Sequence, residues 1–375
     1  MFAFLLFLLA ADPQMLPKDQ TAAGWIQLFD GASLFGWSPG PGTAWTATGG
    51  VLSAAKGSSG WLTTHAAFGD YRLRLEYRVA RPDVESGVGL RMGREGGYVV
   101  RIQDTDPKFP TGSIAGRVKA KAPKPESGKW RALDVTVRGT RVTVRLDGRP
   151  VSNLKHFGPL HGPIGLQFVE GNPIEFRNIV LKPLDMACLF NGRDLAGWRV
   201  ERGGNWSVRE GVVHVEGGPG MLESERVWDD FILQIDVRTN PAKPGDHPNS
   251  GLFFRGDRGV FWSGYESQIR NEHEGDDPAK PVDFGTGGIY RSQPARRIVA
   301  KDGEWMTKTI AVQGRRISVW VDGFPVTSWE DARAEGLSVR DGKARLMRGT
   351  LSLQAHDPGT NLDFNNLCIA PLTRR

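Results

Sequence analysis

The chain is written twice. The pattern that opens at Trp25-Ile26-Gln27-Leu28-Phe29-Asp30-Gly31 returns at Cys188-Leu189-Phe190-Asn191-Gly192, 161 positions further on (31 to 192). Gly36-Trp37 recurs as Gly197-Trp198 and Trp45 as Trp206 at the same spacing, and order is kept to the end, where IEFRNIVLKPL at 174 matches LDFNNLCIAPL at 362. The spacing has by then grown to 188 (174 to 362), so the second copy carries extra residues in its loops. A tandem duplication with almost no linker predicts two domains, 24–184 and 185–375, each large enough for its own core.

What one copy can fold into follows from its local pattern. GDYRLRLEYRV and DDFILQIDVRT alternate apolar and polar residues, the period of a half-buried strand. RGTRVTVRLDGRPV reads as two strands about a tight turn, with Asp147-Gly148, and Asp322-Gly323 in the second copy, as hairpin signals. No long helix-period run is present. The Gly and Pro content, 48 and 24 residues, fits many turns. The expectation is an all-β chain: two sandwiches or jelly rolls in tandem, with little helix.

The apolar run at residues 1–10, MFAFLLFLLA, is too short to span a bilayer and resembles the core of an export signal, although it lacks a positive start. It is read with the rest of residues 1–23 as a signal peptide and leader, which puts the mature protein outside the cytoplasm without a transmembrane helix; a lipid-proximal anchor or a mis-assigned start are the alternatives. The formal charge is +6, with 23 Lys/Arg against 15 Asp/Glu in residues 1–184 and 25 against 27 thereafter. The basic residues are scattered along strands rather than clustered, which argues against a nucleic-acid partner. Cys188 and Cys368 fall in the first and last strands of the second copy, so they are either a disulfide or two buried thiols.

Residues 249–290 carry the densest set of polar side chains on strand-like runs. NSGLFFRG puts Asn249, Phe253 and Arg255 on one face, and GYESQIRN puts Glu266, Gln268 and Arg270 on one face of a neighbouring strand. With glycines between them, these runs read as a binding groove.

LFDG or LFNG followed by GW, then NSGLFFRG, GYESQI, TGGIY, a strand pair opened by Trp and closed by Asp-Gly, and a final FNNL together resemble the 3-keto-disaccharide hydrolase domain family. The resemblance covers both copies and implies a concanavalin-like jelly roll acting on carbohydrates, specifically glycosides oxidised to a ketone at C3.

Such a ketone acidifies the C2 proton, so one base can remove it and the C1 oxygen can leave by β-elimination, water adding back later. That route needs a base, a proton donor and groups that hold the developing enolate. Glu266 is the candidate acid/base and His356 a candidate for proton transfer. Asn249, Arg255, Gln268, Tyr290, Gln354 and Asn271 are candidate substrate ligands, with Arg255 equally readable as a structural partner of a carboxylate. The run from Asn271 through Glu272, His273, Glu274, Asp276 and Asp277 offers ligands for a divalent metal ion, but at no standard spacing.

The first copy has Val99, Ala115, Val169 and Glu85 where the second has Glu266, Tyr290, His356 and Asn249, yet keeps Arg91, Gly97, Tyr98, Thr111, Gly112 and Gln167. Reactive residue types are lost and framework types retained. The expectation is a catalytic second domain and a non-catalytic first one, with a lectin-like, non-catalytic carbohydrate-binding protein as the alternative.

Overall fold

In the computed structural model, residues 14–93, 96–121 and 124–372 are described. The apolar opening run lies outside them. No helix among the described residues is long and apolar enough to cross a membrane. Its regular structure is almost entirely strand, arranged as four antiparallel sheets.

The two copies share one topology. In the first, an eight-stranded sheet runs Arg149–Lys155, Arg141–Leu146, Arg131–Arg138, Tyr71–Val79, Ile174–Pro183, Val51–Gly57, Thr43–Thr48, with Ile26–Gln27 also on Ile174–Pro183. In the second, the same order is Phe324–Glu330, Arg316–Val321, Met306–Gln313, Phe231–Thr239, Asn361–Pro371, Val212–Glu216, Asn205–Arg209, with Ala187–Cys188 on Asn361–Pro371. Each eight-stranded sheet backs a five-stranded one. These are Trp37–Pro39, Gly60–Thr64, Gly165–Phe168, Ser86–Gly93, Gly96–Ile102 and, in the second copy, Trp198–Glu201, Gly220–Trp228, Gly349–Ala355, Ser250–Gly256, Tyr265–Ile269. Period-2 patterning builds both cores: Tyr71, Leu73, Leu75, Tyr77 and Val79 are buried while the residues between them face outward.

The outer face of the eight-stranded sheet distinguishes the copies. Arg72, Thr136 and Arg145 lie on it in the first domain, whereas Ile232, Ala311 and Trp320 hold the matching register positions in the second. Those three apolar residues join the buried cluster of the first domain. Trp320 Nε1 donates to the Gln27 carbonyl at 2.8 Å, and Arg296 pairs with Asp30 at 2.8 Å. The first domain therefore packs on the back of the second.

Residues 14–23, grouped with the leader in the sequence reading, are part of this packing. Pro17 opens a short helix, Lys18–Ala22, whose Thr21 is buried, and Lys18 pairs with Glu304 of the second domain. Cys188 and Cys368 stand opposite each other in register and form a disulfide.

Candidate active site

The outer face of the second five-stranded sheet, on the side away from the first domain, is the floor of a pocket of about 410 Å³. Strand alternation delivers Phe253, Glu266, Gln268 and Gln354 to this floor, while Leu252, Phe254, Tyr265 and Leu353 turn into the core. The walls come from loops that are longer in the second copy. Trp262 lies in 257–263, where the first copy has 93–96; Asp283 in 272–285, against 105–110; and Arg333 and Arg340 in 331–348, against 156–161. Tyr290, Arg291 and His356 complete the wall.

Glu266 is only 9% exposed, and its carboxyl is pushed up to about 8, chiefly by burial. The positive charges of Lys308, Arg340 and Arg291 act against that rise, and Asp283 adds to it. The side chain lies flat over Gly251. A Cβ at position 251 would come within 2.7 Å of Glu266 Cγ and closer still to Oε1, so only glycine leaves the carboxyl where it is.

Asp283 ties the floor to the wall. Gln268 Nε2 donates to its Oδ2 at 3.0 Å, Asn249 Nδ2 donates to the same oxygen at 3.3 Å, and Arg270 lies 3.6 Å away. Asn249 Nδ2 also stands 3.5 Å from His356 Nε2, and the other ring nitrogen of His356 contacts Asp357 at 2.7 Å. Trp262 stacks on the His356 ring, 5.6 Å between centroids and 9° between planes. Three wall residues, Trp262, Asp283 and Arg291, hold positive φ values of 56°, 50° and 56°. Such backbone is costly for non-glycine residues, and it aims all three side chains at one place. The Gln354 Oε1, Asn249 Oδ1 and Trp262 Nε1 atoms are buried with no protein hydrogen-bond partner, the kind of polar capacity a polyhydroxylated ligand uses.

The structure thus brings Glu266, Gln268, Gln354, His356 and Tyr290 together around one cavity, with Asn249 directly behind Asp283 and His356. Arg255 and Asn271 are elsewhere. A register shift follows Phe253, and Arg255 sits at φ 55°, which turns its side chain out of the alternation and into the interior. There it pairs with Asp230 at 2.7 Å and donates to the Gly314 and Arg345 carbonyls. Arg91 does the same in the first copy, with Asp70 and the Gly139 carbonyl, so this arginine belongs to the framework. Asn271 is buried between Asp302 and Thr286. The acidic run after it makes local contacts: Glu272 with Arg270, His273 with the Gly275 carbonyl, Asp277 with Lys280. Among the described residues no group of three or more His, Cys, Asp or Glu side chains is placed to hold a metal ion.

In the first domain the matching face is filled. Trp61 and Met92 lie over Gly89 and Gly165, so that a Cβ on Gly89 would meet Met92 Sδ at 2.7 Å and Trp61 Cζ3 at 3.1 Å. Sequence reasoning missed Trp262, Asp283, Arg291, Arg333 and Arg340, which come from irregular loops. The growing spacing between the copies was the signal that marked these loops, except for that of Arg291, which has the same length in both copies.

A profile of the 3-keto-alpha-glucoside-1,2-lyase-like domain matches residues 24–182 and again 185–370. Similar solved structures include a candidate glycosyl hydrolase from Parabacteroides distasonis, 17% identical over 46% of this chain and 100% of that one with a TM-score of 0.41. Another is the carbohydrate-binding module CBM66 from Bacillus subtilis, 18% identical over 39% of this chain and 95% of that one with a TM-score of 0.34. No curated protein matches the chain.

Proposed function

We propose that this chain, which belongs in both halves to the 3-keto-alpha-glucoside-1,2-lyase-like domain family and is a carbohydrate-active protein, cleaves the glycosidic bond of 3-keto-glycosides in its second domain. The observation that carries the reading is Glu266: a single buried carboxyl on the pocket floor whose proton affinity is set near neutrality, where a group can both take and return a proton. It removes the C2 proton; the C2–H electrons form the enolate of the C3 ketone. Collapse of the enolate expels the C1 oxygen, which takes a proton from His356 or Tyr290. Water then adds across the C1–C2 double bond to give the free 3-keto sugar.

Arg291 and Arg340, whose charges reach Glu266, also favour negative charge developing on the C3 oxygen. Gln268, Gln354 and Asn249 hold hydroxyls. The first domain lacks each reactive group and serves as the support on the back of the sheet. An exported location is part of the proposal, supported by the disulfide and by the apolar opening run.

Incubating the purified protein with a 3-keto-disaccharide and following release of the free 3-keto sugar tests the reading, with the unoxidised disaccharide as control. Binding without turnover would make the second domain a lectin. A geometric variant adds a second check. Gly251→Ala removes no polar group but drives Glu266 from its seat, and a misplacement of roughly 1 Å can cost on the order of 10²-fold in turnover. Full activity in a folded Gly251→Ala protein would mean that the Glu266 position does not matter.

A further inference from the structure

The sheet behind the pocket carries a lysine in a row meant for apolar side chains. Met306, Ile310 and Val312 of the strand Met306–Gln313 face the core between the two sheets, and Lys308 lies in the same row, 0% exposed. Its Nζ donates to the Ser267 carbonyl at 2.7 Å and to the Gln268 carbonyl at 2.8 Å. Those carbonyls belong to the strand whose opposite face presents Glu266 and Gln268 to the pocket. A fully buried ammonium is held at a cost that packing does not repay, and the usual resident of such a position is apolar.

The first domain shows that resident. Leu133 pairs with Leu75 and Leu146 as Lys308 pairs with Ile235 and Val321, so the two positions are the same point of the fold. By the same test Val99 matches Glu266: Gly89 faces Val99, and Phe253 faces Glu266. Val100 then stands where Ser267 does. The glutamate, the serine behind it and the lysine are present together in one copy and absent together from the other.

We propose that Lys308 is a positioning residue for Glu266, fixing the 266–268 segment through its two carbonyls and supplying, from behind the sheet, the positive charge against which the Glu266 carboxylate ionises. The consequence for turnover rests on reading Glu266 as the base; the coupling between the two groups does not. Around Glu266 the charged groups are Lys308 behind the strand, Asp283 on the wall loop, and Arg291 and Arg340 on the other walls, with His356 beside them. On Lys308 the charge that acts is that of Glu266, which holds its ammonium up while burial lowers it. Each group's charged form is stabilised by the other's, so the two titrate as a pair.

The sign follows from charge alone. Removing Lys308 removes a positive neighbour, so Glu266 keeps its proton to higher pH, and the acidic limb of a rate that needs the carboxylate moves upward from its position near 8. Two variants test this: Lys308→Met, and Lys308→Met with Ser267→Val, the second restoring the apolar pairing that the first domain already folds with. Glu266 is titrated directly, by carboxyl carbon NMR with Glu266→Gln as the subtraction, beside the pH dependence of kcat/KM on a 3-keto-glycoside. The expected result in both variants is a Glu266 midpoint higher by about one pH unit, a tenfold change in proton affinity, and an acidic limb moved with it. An unchanged Glu266 midpoint in either folded variant overturns the proposal. If the wild-type protein shows no cleavage while the midpoint still moves, the enzymatic reading fails and the coupling stands; cleavage with an unmoved midpoint gives the reverse.

Discussion

Glu266→Gln is expected to lower turnover of a 3-keto-glycoside by about 10²-fold or more, the usual contribution of a positioned general base. Glutamine keeps the length of the side chain and its place over Gly251, and removes only the group that can exchange a proton. Gln268, Gln354 and Asn249 are untouched, so KM should change far less than kcat. Because the wild-type carboxyl is buried at a cost that rises as it ionises, the variant should be no less stable than the wild type at pH 8, which separates lost chemistry from lost fold. The converse exchange, Val99→Glu, should create no activity. Ala115 and Val169 leave the other roles empty there, Leu133 offers no counter-charge, and Trp61 and Met92 fill the groove. Full turnover by a folded Glu266→Gln protein would transfer the base role to another group of the pocket, His356 being the first to test.

How far the sequence reaches can be judged residue by residue. The duplication carried the architecture, since two copies with the same order of motifs give the same order of strands, and the structure repeats all thirteen. Glu266 and Gln268 were placed on the groove face by simple alternation, which holds along Tyr265–Ile269 because that strand is regular. The same alternation failed at Arg255, two residues past Phe253, where a bulge and a left-handed φ reverse the side chain. No pattern of residue types announces that bulge. Asn271 is a candidate substrate ligand by sequence, but the chain leaves the strand at Ile269 and buries it against Asp302. The walls were beyond reach for a related reason: Trp262, Asp283 and Arg340 are aimed by loop backbone, whose course follows from contacts across the fold. Lys308 is a different case. Its parity within MTKTIAV places it inward, and its counterpart Leu133 was in plain view, yet a lone lysine in an alternating strand reads as solvated until the partner strand is known.

The disulfide carries the second large expected effect. Cys188 lies in a two-residue strand, Ala187–Cys188, held to the final strand Asn361–Pro371, so the bond closes nearly the whole second domain on itself across a sequence separation of 180. In the chain-entropy account a loop of that length stabilises by about 5 kcal/mol, and for a domain of this size each kilocalorie moves the unfolding midpoint by roughly 2–4 °C. A Cys188→Ser/Cys368→Ser protein should therefore melt about 10–20 °C lower than the wild type. Dithiothreitol should bring the wild type down to the variant's midpoint and leave the variant where it is. The pocket should not notice at low temperature, because its floor is the five-stranded sheet and the bond ties strands of the eight-stranded one. The loss of stability should also reach the first domain. Ile232, Ala311, Trp320 and Leu372 complete that domain's buried cluster from strands and a terminus that the bond helps to close, so the two halves should unfold together rather than in separate steps. A variant that melts with the wild type, insensitive to reductant, would mean that strand pairing alone holds Ala187–Cys188 and that the exported location loses one of its two supports.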